Sequence, residues 1–416
     1  MNAAPSSPFL VRVLTDDDWP SILDVDSNAF GSTFDADVMD AEHELHEPGR
    51  TVGAFDGPAL IGLATAFSFD LTVPGAIVPA AGVSWVGVLP THRRRGVLRT
   101  LMTTQLYDVH ERAREAVAIL WASEPVIYGR FGYGLASRSF SLKVPRSPEA
   151  LRADAPADPD LRLRLVPVEN WKLTADVYAA AASTRPGMVA RDERWNRRAT
   201  SDFPSLRQGR SALRCVVAED DDGVRGYARY STKPDWGAGV PGGTVDVREV
   251  VATDGAALAA LYRYLFDLDL MKVVEVWNVP VDSPLLHWLS STRATTPAWQ
   301  DALYVRLVDV GSALAQRTYS TPVDVVLGVS DEICTWNDGS WRLVGGPDGA
   351  RCERTDAAAD LSLTVTDLGA AYLGGTALAE LAQAGRVQQR PGLDGTIEAV
   401  SAAFSSSPQP WCPFIF

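Results

Sequence analysis

The stretch VGVLPTHRRRGVLRTLM, residues Val86–Met102, places an apolar strand, a run of basic residues and an amphipathic helix in direct succession. The run Gly82–Val88 is apolar at successive positions, which predicts a strand buried on both faces. Pro90 and Thr91 end that strand, and after Gly96 the apolar residues recur at helical spacing. This order brings free backbone N–H groups and the positive end of a helix dipole to one point, and such a point binds phosphate groups.

Two interpretations of the basic residues His92–Arg95 stay open at this level. Arginines at a helix start add charge-assisted hydrogen bonds to a phosphate, and Gly96 lets a ligand approach the backbone closely. The alternative is a run of surface charge after an ordinary strand. The flanking segments favour the phosphate site, because Thr51–Gly75 is typical of a hairpin with FDG as its turn and Val117–Ser123 of a second buried strand.

The composition of the 416-residue chain restricts its class. Domains commonly run ~100–200 residues, so we expect roughly two to four of them. A formal net charge of −14 argues against nucleic-acid binding, and RDERWNRR (Arg191–Arg198) mixes acids with bases, which predicts a solvated helix face. No run approaches the ~20 apolar residues that cross a bilayer. MNAAPSSPFL lacks the regions of a signal peptide, and the four cysteines form no CxxC pair, so we expect a cytoplasmic protein without a metal site.

Motifs around the basic loop agree with one family in order and spacing. They are PTHRRRGVLR (Pro90–Arg99), YGRFGYG (Tyr128–Gly134), TDDDWP (Thr15–Pro20) and LTVPGAIVPAAGVSWVGV (Leu71–Val88). The loop resembles the pyrophosphate signature (Arg/Gln)-x-x-Gly-x-(Gly/Ala) of the GNAT superfamily of acetyl-CoA-dependent N-acetyltransferases, although Leu98 departs from it. The set as a whole is similar to the Eis (enhanced intracellular survival) proteins of actinobacteria, in which a leucine is usual at that position.

The resemblance implies a fold class and a domain order. We expect an α+β protein with two tandem GNAT folds followed by a sterol-carrier-protein-like domain. Residues 1–145 would form the catalytic GNAT domain with the acetyl-CoA site, and residues 146–305 a degenerate GNAT-like domain. Residues 306–416 would form the third domain, whose C-terminus enters the active site.

A weak internal repeat supports the tandem arrangement. Thr244–Leu265 again reads as an apolar strand, a short loop and an amphipathic helix, with ATDG in the place of THRRRG. Asp254 before Gly255 would repel a pyrophosphate, so we expect this copy to have lost its cofactor site. The alternative is chance similarity between two βα units.

The resemblance also implies the residues that contact acetyl-CoA. Backbone N–H groups of the splayed strand at Val86 and Val88, with Gly87 between them, would face the acetyl carbonyl and the pantetheine arm. The diphosphate site and the end of the next strand would supply the remaining contacts, from Arg94, Arg95, Gly96, Val97, Leu98, Arg99, Ser123 and Glu124.

Two groups are expected to move protons, the phenol of Tyr128 and the C-terminal carboxylate of Phe416. A phenol has a reference pKa of ~10, so it is protonated at pH 7 and can donate to a departing thiolate. The alternatives are an aromatic core residue and Tyr133 as the acid. The tail PQPWCPFIF is typical of a docked chain end, and the resemblance implies that its carboxylate takes the proton of the amine. A hydrophobic tail that only seals the core is the alternative.

The acceptor is less well defined by the sequence. The resemblance implies a primary amine of an aminoglycoside-like or polyamine-like molecule, or of a peptide lysine, and hence an acidic pocket. Ile415, next to the terminal residue, would not help to bind a cation. The candidate acids are Asp24, Asp26, Asp35, Asp37, Asp40 and Glu42.

Further residues and properties remain expectations. Trp19, Phe30 and Phe34 would form a pocket wall or core, and we expect His43 and His46 at the surface. The resemblance implies a homohexamer. A non-catalytic acetyl-CoA-binding protein and a lipid carrier acting through the third domain are the alternative functions.

Overall fold

The computed structural model describes residues 9–33 and 35–416, with residue 238 described by its backbone alone. Phe34 and residues 1–8, which hold most of MNAAPSSPFL, lie outside the described residues, so what we expect of them stays an expectation. The chain divides into a first unit, Met1–Ser137 with Ala302–Phe416, and a second unit, Arg138–Asp301. No helix in the described ranges is long and apolar enough to cross a membrane.

The described part of the first 137 residues forms six strands and four α-helices. They are β1 (Leu10–Val13), α1 (Trp19–Phe30), α2 (Ala36–His43), β2 (Thr51–Asp56), β3 (Ala59–Val73), β4 (Ala76–Val88), α3 (Val97–Arg112), β5 (Val117–Trp121), α4 (Pro125–Tyr128) and β6 (Gly134–Leu135). A tight turn after Asp56 joins β2 to β3, which confirms the predicted hairpin. Helix α3 buries Val97, Leu101, Leu106 and Val109, as its spacing predicts.

The second unit is built on one seven-stranded sheet. Its elements are β7 (Arg138–Pro145), β8 (Arg162–Val166), α5 (Lys172–Ala182), α6 (Glu193–Thr200), β9 (Arg214–Glu219), β10 (Val224–Lys233), β11 (Gly243–Ala252), α7 (Gly255–Phe266), β12 (Met271–Pro280), α8 (Leu285–Trp288) and β13 (Thr296–Asp301). The strand order is β13-β7-β12-β11-β10-β9-β8, with β11 and β12 parallel. Strand β11 leads directly into α7, so the predicted strand–loop–helix repeat is present.

The basic segment Arg191–Arg198 departs from the predicted solvated face. Arg191 is buried, and its guanidinium pairs with the carboxylate of Glu249 at 2.7 Å. Trp195 of α6 is also buried, whereas Arg194 is half-buried and Arg197 is exposed. The segment is therefore amphipathic, because a buried acid on a neighbouring strand gives one arginine a partner in the interior.

Residues 302–416 complete the first unit. They form β14 (Leu303–Leu307), α9 (Val310–Ala315), β15 (Val323–Ser330), β16 (Gly339–Gly346), β17 (Gly349–Arg354), β18 (Leu361–Thr364), α10 (Val365–Ala371), α11 (Leu378–Gln383), β19 (Gln388–Gln389) and α12 (Thr396–Phe404). Strand β14 joins the first sheet, whose order is β1-β2-β3-β4-β5-β14-β6 and in which β4 and β5 are parallel. The other five strands form a third sheet, β17-β16-β15-β18-β19. Mixed sheets with packed helices confirm the α+β class.

The strands near the expected domain boundaries belong to sheets on the other side of those boundaries. Strand β7 ends at Pro145 but pairs with β12 and β13 of the second sheet. Strand β14 begins at Leu303 but pairs with β5 and β6 of the first sheet. The sheets thus change after Ser137 and after Asp301, while the division at 145/146 and 305/306 stays a prediction.

The chain end is anchored where it leaves α12. The buried guanidinium of Arg317 donates to the carbonyl oxygens of Phe404, at 2.9 Å, and Tyr372. Trp411 and Cys412 are buried further along the tail. These contacts fix the path of the last residues toward the first sheet.

Candidate active site

The parallel strands β4 and β5 separate partway along their length. Pairing runs from Ala80 to Gly82 on β4, although β4 continues to Val88 and β5 to Trp121. Beyond Gly82, no strand among the described residues pairs with the edge of β4 that faces β5. The result is a gap between the two strands, with unpaired backbone groups along the β4 side.

A β-bulge distorts β4 at the same place. Leu63 pairs with Gly87 and Thr65 with Ser84, so one residue of β3 faces two of β4. Trp85, in the bulge, has a φ of 48°, a left-handed conformation that costs a non-glycine residue of order 1–3 kcal/mol. Ser84, Trp85 and the residue after them are only half-buried. The prediction of a strand buried on both faces is therefore wrong for this segment, because the strand is open where its partner has departed.

Two backbone N–H groups of β4 point into the gap. Leu89 donates its N–H to the carbonyl oxygen of Ile61, on β3, at 2.9 Å. Alternation along an extended strand then directs the N–H groups of Val88 and, two residues earlier, Val86 to the opposite edge. The predicted contact residues Val86, Gly87 and Val88 thus border the gap.

The N-terminus of α3 is open. The helix begins at Val97, and its N-cap Gly96, with a φ of 88°, has no side chain to accept from the first N–H groups. Within the described ranges no group accepts from the N–H groups of Val97, Leu98 and Arg99. Arg94 and Arg99 are exposed, and neither pairs with an acid in the described part of the chain. Free N–H groups and unpaired cations together favour an anion at this point.

The other basic residues of the loop have partners. Arg93 donates to the carbonyl oxygen of Ala29 at 3.0 Å and so ties the loop to the end of α1. Nε2 of His92 lies 3.4 Å and the guanidinium of Arg95 3.6 Å from the carboxylate of Asp56. Arg95, predicted to bind the cofactor, is thus partly engaged by an acid of the same sheet.

Tyr128 is the last residue of α4, and its ring is buried. It packs in an apolar cluster with Ala81 and Val83 of β4 and Met102 of α3. Burial, together with the negative charge of Glu124, raises the pKa of Tyr128 to about 12. The phenol therefore keeps its proton throughout the neutral range.

Tyr133, the alternative acid, is more deeply enclosed. Its ring centroid lies 6.2 Å from that of Tyr128, and its hydroxyl is buried with no hydrogen-bond partner among the described residues. Burial raises the pKa of Tyr133 strongly. A hydroxyl enclosed in this way has no open path to a ligand, which favours Tyr128.

Ser123 and Glu124 follow the end of β5. Both side chains are exposed, and Glu124 directly precedes α4. They border the end of the strand that forms the far side of the gap.

The C-terminus lies against β4. The hydroxyl of Ser84 donates to the terminal oxygen of Phe416 at 2.8 Å. The Phe416 ring packs edge-on against Phe69, with ring centroids 4.9 Å apart. Gly82 makes room for both rings, because a Cβ there would lie 2.4 Å from Phe69 and 3.2 Å from Phe416.

Tyr128 and Phe416 lie on opposite faces of β4. Successive side chains of a strand point to opposite faces. Tyr128 packs with Ala81 and Val83 on one face. Phe416 contacts Gly82 and Ser84 on the other. The two proposed proton-moving groups thus flank the strand that borders the gap.

Two of the six candidate acids interact with each other. Burial and the charge of Glu42 raise the pKa of Asp26 to about 6. Both side chains are half-buried, and Ile415 is 60% exposed. The remaining acids are exposed: Asp24, Asp35, Asp37 and Asp40.

Aromatic rings cluster beside the bulge. The centroid of the Trp19 ring lies 5.6 Å from that of Trp85 and 4.4 Å from that of His43. Phe30 is 46% exposed, and Phe34 lies outside the described residues. The cluster joins α1 and α2 to the open segment of β4.

The sequence pattern did not indicate several polar contacts of the first sheet. His46 is buried, so its expected surface position is wrong. Its ring contacts Thr51, which contacts Thr65 in turn, and Ser84 follows on the next strand. The signal was present, because two threonines occupy facing positions in the predicted hairpin and buried hydroxyls need polar partners.

Known protein families match all three parts of the chain. Residues 10–136 match a family described as acetyltransferase (GNAT) domain, and residues 187–307 match another family of the same description. Residues 310–413 match the sterol carrier protein domain. The predicted order of two GNAT folds and a sterol-carrier-protein-like domain is confirmed.

Similar proteins extend over almost the whole chain. An uncharacterized N-acetyltransferase of Streptomyces avermitilis is 47% identical and covers 98% of this chain and 99% of its own length. N-acetyltransferase Eis of Mycobacterium tuberculosis is 33% identical, with coverage of 94% and 96%. The crystal structure of Eis1 from Mycobacterium abscessus has 35% identity and a TM-score of 0.83, and covers 98% of this chain and 100% of that one. The chain is therefore an N-acetyltransferase that belongs to the Eis family of the GNAT superfamily.

Proposed function

We propose that the chain transfers the acetyl group of acetyl-CoA to a primary amine of a polycationic acceptor. The observation that carries the proposal is the gap between β4 and β5 next to the open start of α3. In this gap the N–H groups of Val86 and Val88 would bind the acetyl carbonyl and the pantetheine arm. Gly87 adds no side chain between them.

The diphosphate of acetyl-CoA would lie at the start of α3. Its oxygens would accept hydrogen bonds from the N–H groups of the first turn and from the side chains of Arg94 and Arg99. Each hydrogen bond to a charged group contributes about 1.5–3 kcal/mol. Ser123 and Glu124 would contact the cofactor near the end of β5. The diphosphate contacts would come from Arg94, Gly96, Val97, Leu98 and Arg99, with Arg95 contributing once it leaves Asp56.

Acyl transfer in this gap needs an oxyanion site and a proton donor. The neutral amine attacks the thioester carbon, a C–N bond forms, and the carbonyl oxygen gains charge that the N–H groups of β4 stabilise. The C–S bond then breaks, and Tyr128 donates its proton to the departing sulfur. Because the pKa of Tyr128 is raised to about 12, the donor is present at every neutral pH.

The carboxylate of Phe416 would receive the proton of the amine. A terminal carboxyl has a reference pKa of ~3.3–3.7 and a lysine-like amine one of ~10.4, so direct transfer is uphill. The hydroxyl of Ser84, which donates to this carboxylate, favours its charged form. The carboxylate can therefore serve as a base only if the proton moves on from it.

The acid pair Asp26–Glu42 supports a polycationic acceptor. With a pKa raised to about 6, Asp26 is mostly ionised at pH 7 and takes up its proton as the pH falls through about 6. Two neighbouring carboxylates stabilise a cation through Coulomb attraction, because the ligand relieves their mutual repulsion. Aminoglycoside-like and polyamine-like molecules and lysine-containing peptides carry the required charges.

The proposal extends to a cytoplasmic homohexamer. Its support is family membership through the third domain, together with four cysteines, all described, that form no disulfide. Light scattering at micromolar concentration tests the assembly, and a monomeric mass would reject it.

Calorimetry with acetyl-CoA followed by a thiol-release assay tests the function. The amine panel holds a polyamine, an aminoglycoside and a lysine peptide, and we expect thiol release with at least one of them. Acetyl-CoA binding without thiol release from any amine would favour the non-catalytic interpretation. Lipid extracted from the purified protein, without acetyl-CoA binding, would favour the lipid carrier.

A further inference from the structure

A row of buried polar side chains crosses the first sheet as far as the chain end. Nε2 of His46 lies 3.1 Å from Oγ1 of Thr51 on β2, and that atom lies 2.7 Å from Oγ1 of Thr65 on β3. Both threonines have no exposed surface. Thr65 is the register partner of Ser84 on β4, whose hydroxyl donates to the terminal carboxylate. A loop and three strands thus contribute one polar group each to a row that is hydrogen-bonded from His46 to Thr65, with Ser84 next to Thr65 in register.

The outer end of the row sets the direction of its hydrogen bonds. Nδ1 of His46 lies 3.7 Å from the carboxylate of Asp16, which is 70% exposed. This negative charge favours the hydrogen on Nδ1, so Nε2 carries the lone pair and accepts from Thr51. Thr51 then accepts from Thr65, which leaves a lone pair of the Thr65 oxygen free to accept a proton from the side of β4.

Burial favours the neutral form of the His46 ring. Burial lowers the pKa of His46 and His43 acts in the same direction, while Asp16 and Glu47 oppose them. From α1, Trp19 contributes an aromatic ring 5.7 Å away. A neutral imidazole whose Nε2 faces a hydroxyl is ready to accept a proton.

We propose that the row from Thr65 to His46 relays the proton of the acceptor amine to the protein surface. This inference rests on the proposed role of Phe416 as the first proton acceptor. Facing residues of antiparallel strands have Cβ atoms ~4.5–5.5 Å apart, and in this proposal one water molecule would join the hydroxyls of Ser84 and Thr65. The relay gives the proton a path away from the carboxylate.

Each step of the relay forms one bond to hydrogen as it breaks another. The protonated carboxyl of Phe416 passes its proton to the Ser84 oxygen, and the hydrogen that Ser84 already holds turns toward β3 and leaves through the water to Thr65. Thr65 passes its own hydrogen to Thr51, and Thr51 passes its own to Nε2 of His46. Nδ1 of His46 releases its hydrogen to Asp16 or to solvent. One proton moves outward in total, and exchange with solvent restores the starting arrangement. A carboxyl of low pKa releases its proton readily to the next group, so the relay returns the carboxylate to its charged form for the next turnover.

Thr51→Val tests the relay, because it removes the hydroxyl and keeps a branched side chain of the same shape. We expect kcat at pH 7 to fall roughly tenfold to 10²-fold, at or below the lower end of what positioned proton transfer contributes, with the KM for acetyl-CoA unchanged. Thr51→Ser returns the hydroxyl and is expected to recover most of the rate. Thr103→Val is the matched control, since Thr103 is buried in α3 and its hydroxyl has no partner among the described residues.

The pH profile separates a relay from a structural role. Wild-type kcat is expected to fall only at a pH below the reference imidazole pKa of ~6.5, because burial lowers the pKa of His46 and a protonated His46 accepts nothing. His46→Gln keeps a hydrogen-bonding group near Thr51 but passes no proton, so its kcat is low and lacks this acid limb. If Thr51→Val does not fold, the kcat and pH profile of His46→Gln still test the relay.

Three outcomes would overturn the relay. Variants at His46 and Thr51 that match the wild type in kcat and pH profile reject it while leaving the proposed function intact. An equal loss in Thr103→Val would assign the effect to packing. A wild-type protein that releases no thiol with any amine would reject the proposed function and the relay together.

Discussion

Two helices of this protein follow a central strand of a sheet, and their first turns differ in chemistry. In the first unit β4 leads to α3, whose N-cap Gly96 leaves the helix N–H groups without a side-chain partner. In the second unit β11 leads to α7, whose N-cap Asp254 accepts from the N–H groups of Ala256 and Ala257 at 2.9 and 3.0 Å. The second helix start therefore already holds an anion, which is part of its own chain.

The surroundings of α7 occupy the remaining space. The guanidinium of Arg225 lies 2.9 Å from the Asp254 carboxylate and neutralises it. A Cβ on Gly255 would lie 3.7 Å from the Trp288 ring and 3.8 Å from Pro156, so the first turn of α7 is covered. At α3, by contrast, a Cβ on Gly96 would meet nothing within 4 Å.

The backbone of the two sheets is nevertheless alike at this point. The pairing of β11 with β12 ends at Val247 and Val276, while β11 continues to Ala252. A bulge at Arg248 follows. Tyr230 pairs with Val247 and Arg229 with Glu249, so Arg248 has no register partner on β10. Both units thus have a parallel pair that separates next to a bulge, as in β4 and β5.

Charged side chains fill the face of the sheet beside the bulge in β11. The Glu249 carboxylate lies 2.7 Å from the guanidinium groups of Arg191 and Arg229, and the hydroxyl of Tyr227 donates to it at 2.9 Å. The corresponding face of the first unit holds the aromatic cluster and the chain end. We infer that the fold supplies the gap twice and that the side chains around it decide whether a ligand can enter.

The largest expected effect is that of Tyr128→Phe, which removes the proposed proton donor from α4. We expect kcat to fall roughly 10²–10⁴-fold, because general acid catalysis contributes that much, with unchanged acetyl-CoA affinity by calorimetry. Trp288 ends α8 as Tyr128 ends α4, so Trp288→Phe is the matched control and should retain kcat. A loss below tenfold in Tyr128→Phe would return that residue to the aromatic core.

Amidation of the Phe416 carboxylate in a semisynthetic protein removes only the charge of the chain end. Because the amide no longer takes a proton from the amine, we expect kcat to fall roughly 10²-fold while acetyl-CoA binds normally. Extension of the chain by a few residues should act in the same way. A tail that only seals the core would show the opposite pattern, with full activity in the amide and lower thermal stability on truncation.

Arg94→Glu places an acid beside the open N-terminus of α3. The change makes this helix start chemically similar to that of α7 in the second unit. Loss of a charge-assisted hydrogen bond costs about 1.5–3 kcal/mol, so the Kd for acetyl-CoA should rise roughly tenfold or more. Arg197→Glu, at an exposed position of α6, is the control for the change in net charge. An unchanged Kd by calorimetry would return Arg94 to ordinary surface charge.

The sequence predicts the elements of the site better than their contacts. The apolar runs around residues 82–88 and 97–109 predict a strand and a helix, which β4 and α3 confirm, although the strand is not buried on both faces where it separates from β5. The aromatic tail likewise indicates a docked end, which the contact between Ser84 and Phe416 confirms. These features follow from local pattern alone.

Contacts made by distant segments could not be read from the sequence. Arg93 and Arg94 are adjacent residues of the same type. Of these two, Arg93 donates a hydrogen bond to the carbonyl oxygen of Ala29. The left-handed Trp85 lies in a bulge of the pairing between β3 and β4, and the burial of Arg191 depends on an acid far along the chain. Each depends on tertiary placement, which periodicity does not encode.

Asp254 gives the smallest effect and the most direct test of the comparison. Asp254→Ala removes the cap, so we expect the free energy of unfolding to fall by about 0.5–2 kcal/mol in denaturant titrations. Asp254→Asn should cost less, because asparagine caps a helix about as well as aspartate. Burial alone would raise the pKa of Asp254, but hydrogen bonds from Arg225 and from two N–H groups outweigh it and lower that pKa. The charge-dependent stabilisation is thus present above the unfolded value of ~3.9 and lost as the pH falls through the folded pKa, and Asp254→Asn should not show this loss.

The binding stoichiometry of the same variants decides what the cap does. If the second gap is closed by Trp288 and the ions around Glu249 as well as by Asp254, removal of the carboxylate opens no site. Calorimetry should then give one acetyl-CoA per chain in the wild type and in Asp254→Ala alike. Two equivalents in Asp254→Ala would mean that the Asp254 carboxylate alone prevents acetyl-CoA from binding to the second unit. The side chains that fill the second gap would then need another explanation. One equivalent that is lost in Arg94→Glu but kept in Asp254→Ala would assign the cofactor to α3, because only there are the helix N–H groups free to accept a diphosphate.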